Sequence, residues 1–296
     1  MPAYRRRTQR RKTLRIPDSI PNALDYGGTR LRAYGLESRE ALIQAEWLLV
    51  HVIGSKRDAL RSRRMLTEAE SIQYARLLDR RVDRDEPVQY ITGQQSFMGY
   101  DFAVDPRVLI PRLDTEMLCV HALEACRGKA AASVLDVGTG CGALAVSIAL
   151  SRPHASVTAL DISEDALDVA RQNAKRLNAS VRFLQSDFFT GLPKERFDVI
   201  VSNPPYVTLG EWDSLPPDVR QEPRQALYGG VDGLDAYRVL ARDSADHMAS
   251  GGRIIVEVGA SQADTVSGMF AEGIGPAEAL YDLQGVRRFV SAALRE

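Results

Sequence analysis

Two strings in this 296-residue chain combine residue types able to do chemistry. The first, VLDVGTGCGALA, carries Asp136, Gly138, Thr139, Gly140, Cys141 and Gly142 at a predicted strand-to-helix turn. Glycine supplies the positive φ and the close backbone approach that such a turn needs. In open parallel sheets ligands bind outside the carboxyl ends of the strands, which is where this turn falls. Ala143 completes GxGxxA and Asp161 follows by about 20 residues, so the string alone leaves a nicotinamide dinucleotide and S-adenosylmethionine both open. Acidic side chains move the balance. Asp136 ends the first strand just before the glycines, where a carboxylate suits the ammonium and sulfonium of S-adenosylmethionine better than a pyrophosphate. Asp187 follows the third strand in RFLQSDFF, with Phe188 beside it. On this reading Asp161 takes ribose hydroxyls, Asp187 the exocyclic amine of adenine, and Phe188 the face of the base.

The second string, VIVSNPPYV, follows a predicted fourth strand. Adjacent prolines remove ladder donors and fix φ, so the chain must leave the sheet as a stiff loop. One proline would suffice as punctuation. A rigid loop bearing Asn203 and Tyr206 reads instead as a positioned recognition group. A planar amide or aryl amine is a poor nucleophile, because its lone pair is delocalised. The Asn203 side-chain oxygen and the Pro204 carbonyl could accept its two N–H protons. That would stabilise charge developing on nitrogen and align the lone pair with a methyl–sulfonium bond. Tyr206 would pack the plane of the target. No histidine base is needed, since the alkylated nitrogen is acidic.

The elements that must hold these strings change character twice. Residues 1–16 carry seven cations and no acid, which leaves the other 280 at −8 within a net charge of −1. A body of that sign is a poor general binder of nucleic acid. The Arg-rich start reads as a disordered tail, compatible also with a mitochondrial presequence. From Pro17 to about Asp85 the pattern is helical. Leu42, Ala45, Leu49 and Val52 recur at helical steps up to Gly54. Thr67 and Glu70 spell a capping box ahead of Ile72, Ala75, Leu78 and Val82. Residues 86–113 turn to Gly, Pro and β-branched types, and alternation around Tyr100–Val104 and Val108–Ile110 reads as a hairpin bridging two domains.

Beyond Thr115, apolar runs at Ser133–Val137, Ser156–Leu160, Val181–Gln185, Phe197–Ser202 and Arg253–Val258 alternate with amphipathic helices. That pattern gives a parallel sheet covered on both faces. Ala279–Leu283 and Arg287–Ala292 are too close in sequence for a crossover, so the last strand is expected antiparallel. The composition, 45% hydrophobic and 26% charged, excludes collagen, a rod and wholesale disorder. No apolar run reaches the length of about 18 residues that a membrane span needs. Three cysteines without CxxC spacing argue for a reducing compartment, and four scattered histidines give no zinc pattern.

In combination these strings resemble the HemK-type protein-(glutamine-N5) methyltransferases, in the branch that acts on peptide-chain release factors. Besides the glycine turn, Asp161 and Asn203–Tyr206, the likeness includes EPVQYITG (Glu86–Gly93), IPRLDTE (Ile110–Glu116) and EPRQALYGGVDGLDAYR (Glu222–Arg238). It runs from about Ser38 to Val290, with Leu113 standing where proline is commonest. The resemblance implies an α/β fold of the class I S-adenosylmethionine-dependent methyltransferase type. This is a Rossmann-like, mostly parallel seven-stranded sheet with an antiparallel last strand, plus a small N-terminal helical domain. The expected domains are a basic tail over 1–17, a substrate-binding helical domain over 18–90, a hairpin linker over 91–113 and the methyltransferase domain over 114–296.

The implied reaction transfers a methyl group from S-adenosylmethionine, leaving S-adenosylhomocysteine, to the side-chain nitrogen of the glutamine in a release factor's Gly-Gly-Gln motif. Cofactor contacts fall on Gly138, Thr139, Gly140, Cys141, Gly142, Asp161 and Phe188, joined by Asp136, Asp187 and Asn203. Glutamine contacts fall on Asn203, Pro204, Pro205 and Tyr206, and Arg112 and Glu116 lie near the cofactor. A cytoplasmic monomer is expected, with no metal, no membrane and no direct nucleic-acid substrate. The alternatives are glutamine methylation of a large-subunit ribosomal protein, and adenine-N6 methylation of nucleic acid, whose enzymes share Asn-Pro-Pro-Tyr.

Overall fold

Helical spacing early in the chain becomes α1 (Ile20–Tyr34), α2 (Ser38–Ile53), α3 (Glu68–Asp83) and a short α4 (Val88–Thr92). The computed structural model describes residues 17–55, 57–62 and 64–295, so the basic stretch 1–16 lies outside the described residues. Contacts divide the chain into two units, one ending at Thr92 and one beginning at Gly93.

In the first unit the capping box forms. The Glu70 amide donates to the Thr67 hydroxyl at 3.2 Å, and the Thr67 amide donates to the Glu70 carboxylate at 2.8 Å. The buried stripes are turned from the expected ones. α2 buries Ala41, Ala45, Leu48 and Leu49 while Leu42 is exposed, and α3 buries Tyr74, Leu77 and Leu78 with Ile72 and Val82 at the margins. The reason is α1, which adds Ala23 and Leu31 to the same core. It passes so close at Gly27 that a Cβ there would lie 2.0 Å from the Tyr74 hydroxyl.

The second unit opens with an antiparallel hairpin of β1 (Gln94–Phe97) and β2 (Tyr100–Ala103), so the partner of the strand at Tyr100 precedes it, and Val108–Ile110 forms no strand. Its turn holds Met98 and Gly99 at φ +50° and +79°, the left-handed pair of a type I′ turn. There follow α5 (Asp114–Ala125), β3 (Ser133–Val137), α6 (Ala143–Ser151), β4 (Ser156–Asp161), α7 (Glu164–Leu177), β5 (Arg182–Gln185) and β6 (Phe197–Ser202). The chain continues through α8 (Leu209–Trp212), α9 (Arg224–Leu227), α10 (Asp235–Asp243), β7 (Met248–Glu257), α11 (Ala263–Gly273), β8 (Ala277–Tyr281) and β9 (Arg287–Ala293). α7 starts on Ser163, whose hydroxyl accepts from the Ala166 amide, and buries Ala166, Leu167, Ala170 and Ala174.

The sheet order is β5-β4-β3-β6-β7-β9-β8. The first five of these run parallel, and β9 lies antiparallel between β7 and β8, as the short last connection predicts. β8 ends at Tyr281 rather than Leu283 because the Asp282 carboxylate accepts from the Gln284 and Val286 amides, which folds the turn early. Leu135, Val137, Ile200, Ile254 and Val256 are buried in the core, each contributing about 1.5–3 kcal/mol of burial free energy. The chain winds outward from β3 to β5 and returns to β6 on the other side of β3. Two adjacent strands whose connections part in this way leave a crevice at their carboxyl ends.

Candidate active site

The first wall of that crevice is the glycine turn after β3. Gly138, Gly140 and Gly142 sit at φ +78°, +56° and +84°, where any other L-residue is strained. A Cβ on Gly138 or Gly140 would meet no protein atom within 4 Å, whereas on Gly142 it would press the Ala170 Cβ at 3.1 Å. The first two glycines therefore leave space for something other than protein, and the third lets α6 pack on α7. The turn is pinned from the neighbouring strand: the Gly138 and Thr139 amides donate to Leu160 O at 2.9 and 2.8 Å. At the end of β4 the Asp161 carboxylate accepts from the Gly140 amide at 2.8 Å and the Ser163 amide at 2.9 Å. Burial raises its pKa, against the pull of those amides. Asn173 of α7, fully buried, donates to Cys141 O at 2.9 Å and to Ala103 O at 3.0 Å, and accepts from the Ala103 amide at 2.7 Å.

The second wall is the loop after β6. Asn203 Nδ2 donates to Thr115 Oγ1 at 3.1 Å. Behind the loop, Val207 exchanges backbone bonds with Leu227 O and Gly229 N, both at 2.9 Å. The glycines of that segment permit a close approach: a Cβ on Gly229 would stand 2.5 Å from Pro205 O, and one on Gly233 2.3 Å from Tyr206 O. Gln262 Nε2 completes the brace by donating to Tyr206 O at 3.1 Å and Gly233 O at 3.2 Å. Tyr206 is half-buried, and burial pushes its hydroxyl up to about 12, so it stays neutral and is no base.

Between the walls lies a cleft of about 940 Å3, its solvent mouth included. Gly138, Gly140, Asp161, Asp187, Phe188, Asn203, Pro204 and Pro205 all line it. Phe188 reaches it from a strained backbone at φ +47°. Thr139 and Cys141 line a smaller recess that shares Gly138, Gly140 and Asn203 with the cleft and adds Arg112 and Thr115. Asp136, Gly142 and Tyr206 line neither cavity. Asp136 lies beneath the turn, fully buried, with Oδ2 accepting from the Thr139 hydroxyl at 2.7 Å and the Ala145 amide at 3.2 Å. Among the described residues its Oδ1 has no hydrogen-bond partner, and burial lifts its carboxyl to about 7. Arg112 pairs with buried Glu222 at 2.5 Å, and Glu116 accepts from the Met98 amide at 2.7 Å.

Residues 22–93 match the PrmC N-terminal domain family, and residues 113–214 match the methyltransferase small domain family. A release factor glutamine methyltransferase of Geobacter sulfurreducens is 40% identical over 280 residues, spanning 93% of this chain and 97% of its own. The chain belongs to the release factor glutamine methyltransferase family. A family member from Moorella thermoacetica is 41% identical over 261 residues, spanning 87% of this chain and 91% of its own. The fold is that of a methyltransferase: a crystal structure of a methyltransferase from Pyrococcus furiosus superposes with a TM-score of 0.50, at 19% identity, over 75% of this chain and 98% of that one. Among the described residues no helix is long and apolar enough to cross a membrane.

Several residues that shape the site carry no local sequence signal. Thr115, Glu222, Gly229, Gly233, Glu257 and Gln262 act through partners far along the chain. Thr115, Glu222, Gly229 and Gly233 do fall inside the strings IPRLDTE and EPRQALYGGVDGLDAYR, which the family resemblance singles out without saying what each residue does.

Proposed function

We propose that this chain transfers a methyl group from S-adenosylmethionine to the side-chain nitrogen of the glutamine in the Gly-Gly-Gln segment of peptide-chain release factors. One observation carries the reading: Asn203, its side-chain nitrogen held by Thr115, borders the same cleft as Gly138, Gly140 and Asp161. The names of the relatives support the substrate.

The residues present fit the cofactor. Gly138 and Gly140 leave room where side chains would stand. Asp161 offers carboxylate lone pairs on the cleft wall for ribose hydroxyls, while Asp187 and Phe188 offer an acceptor and an aromatic face for adenine. Asp136 lines neither cavity and braces the turn from beneath through the Thr139 hydroxyl and the Ala145 amide. When bound, the cofactor supplies a methyl group on a positively charged sulfur.

The chain's own part is orientation and electrostatics. Asn203 Oδ1 and the Pro204 carbonyl accept the two N–H protons of the glutamine amide, so that its nitrogen lone pair faces the methyl group. Both acceptors strengthen their hold as positive charge grows on that nitrogen, which favours the transition state over the bound substrate. Pro204 and Pro205 keep the acceptors from relaxing away. Once the new N–C bond has formed, the nitrogen is strongly acidic and its extra proton passes to water. Tyr206, neutral throughout, supports the loop from behind.

The test is mass spectrometry of a purified release factor incubated with the protein and S-adenosylmethionine. A gain of one methyl group on the Gly-Gly-Gln glutamine is expected. Methylation of a ribosomal protein or a nucleic acid in its place would overturn the reading.

A further inference from the structure

A carboxamide is nearly symmetric in shape. Its oxygen and nitrogen exchange places by a half-turn of the side chain, and only hydrogen bonds tell them apart. The reaction proposed above needs the Asn203 oxygen at the cleft, yet neither proline beside it has an N–H to enforce that choice. The discriminating contacts come from elsewhere. Asn203 Nδ2 donates to Thr115 Oγ1 on the first turn of α5, and Thr115 Oγ1 donates to Glu257 Oε2 at the end of β7, 2.7 Å away. A hydroxyl alone has no preference, because it both donates and accepts. A carboxylate only accepts. An ionised Glu257 therefore accepts the threonine hydroxyl's hydrogen bond and leaves the hydroxyl's oxygen lone pairs facing Asn203. In the flipped orientation Asn203 would set its own oxygen against them.

We propose that Thr115 and Glu257 form a positioning relay that sets the orientation of the Asn203 carboxamide and keeps its oxygen toward the cleft. The consequence for rate rests on the methyl-transfer reading, but the geometry does not. Thr115 borders the smaller recess and Glu257 borders neither cavity, so Glu257 acts only through its neighbour. Three-residue chains of this kind stand or fall as a unit, because in a poorly solvated site each bond polarises the next.

The relay has a built-in dependence on pH. Glu257 is 3% exposed, and burial lifts its carboxyl to about 7. Asp114 of α5 pushes in the same direction, while Arg288 of β9 and Arg112 before α5 oppose it. The remaining titratable neighbours, Tyr206 after β6 and Tyr237 of α10, have raised pKa values and stay neutral. A protonated Glu257 can donate to Thr115, which then donates to Asn203 Oδ1 and stabilises the wrong orientation. The methylation rate is thus expected to fall as the pH drops through about 7 and to recover above it.

The experiment compares the wild-type chain with Thr115→Val, Thr115→Ser and Glu257→Gln. Single-turnover methylation of a release factor is followed across pH, with S-adenosylmethionine affinity and thermal unfolding measured alongside. Thr115→Val is expected to lower kcat by about 30–100-fold, with KM and cofactor affinity within about twofold. Thr115→Ser restores the rate to within about threefold. Glu257→Gln flattens the fall near pH 7. Wild-type kcat in Thr115→Val, or equal losses of cofactor affinity and rate, would reduce Thr115 to a structural role. Should Thr115→Val fail to fold, an unchanged pH profile in Glu257→Gln overturns the relay.

A second readout needs no turnover. In 15N NMR the Asn203 side-chain amide, assigned by its loss in Asn203→Ala, should show a proton protected from exchange whose shift titrates near pH 7. It should lose both properties in Glu257→Gln. The same spectrum in both proteins would remove the relay. Its presence in a chain that methylates no release factor would leave the relay standing and sink the proposed substrate.

Discussion

The two loops that meet over the sheet use glycine in opposite ways. At 138–140 glycine is present because nothing of the protein should fill the space: φ is positive and a Cβ would meet no protein atom within 4 Å. At 229 and 233 it is present because the protein already fills the space, with Pro205 and Tyr206 carbonyls where a Cβ would stand. One loop is shaped to admit an occupant. The other is stiffened by its prolines and clamped from behind so that its acceptors cannot yield. Ligand affinity should therefore reside in the first loop and turnover in the second.

The largest effect expected is on the second loop. If Asn203 is the acceptor proposed above, Asn203→Ala should lower kcat by about 10²–10³-fold. Calorimetry should find S-adenosylmethionine binding little changed. A comparable loss of binding would erase the division between the loops. Gly233→Ala attacks the same loop from behind, since it must move Tyr206 O and occupies φ +74°. A displacement of about 1 Å costs on the order of 10²-fold, so kcat should fall while cofactor affinity holds. Gly140→Ala should do the reverse. Its Cβ projects into unfilled space at φ +56°, with about 1–2 kcal/mol of strain. The dissociation constant for S-adenosylmethionine should rise about tenfold or more, with saturated kcat less affected.

The smallest effect is on stability. Asp136 and Glu257, one behind each loop, are lifted to about 7 by burial. Between the ordinary carboxylate range and about 7 the folded chain holds protons that the unfolded chain has released, so unfolding free energy falls as pH rises through that window. Thermal unfolding of the ligand-free protein should show this decline, and Asp136→Asn should flatten it. An unchanged slope would mean that Asp136 ionises at low pH in spite of its burial.

The division between what the sequence announces and what it hides follows the range of the interactions. Ser133–Val137 and Phe197–Ser202 run as their apolar patterns predict, because a strand buried on both faces states itself in consecutive residues. The capping box at Thr67 and the antiparallel β9 are equally local statements. The buried faces of α2 and α3 are not local statements, since which side is buried depends on where α1 packs. The relay and the rear brace are hidden for the same reason carried further: Thr115 lies 142 residues from Glu257, and Gly233 has no visible purpose until Tyr206 stands behind it. Asp136 shows the limit in the other direction. Its position in the string points to a ligand, yet the structure puts it under the floor of the turn.

Asn173 joins segments that the chain keeps far apart. One carboxamide on α7 satisfies both backbone groups of Ala103 in the hairpin and the carbonyl of Cys141 in the glycine turn. Its two donors are committed to different loops, so an aspartate there would release both at once. The hairpin is thereby tied mechanically to the glycine turn, and its Phe97 lines the smaller recess beside that turn. A scaffold borrowed from this protein for another methyl acceptor would have to take the hairpin with it.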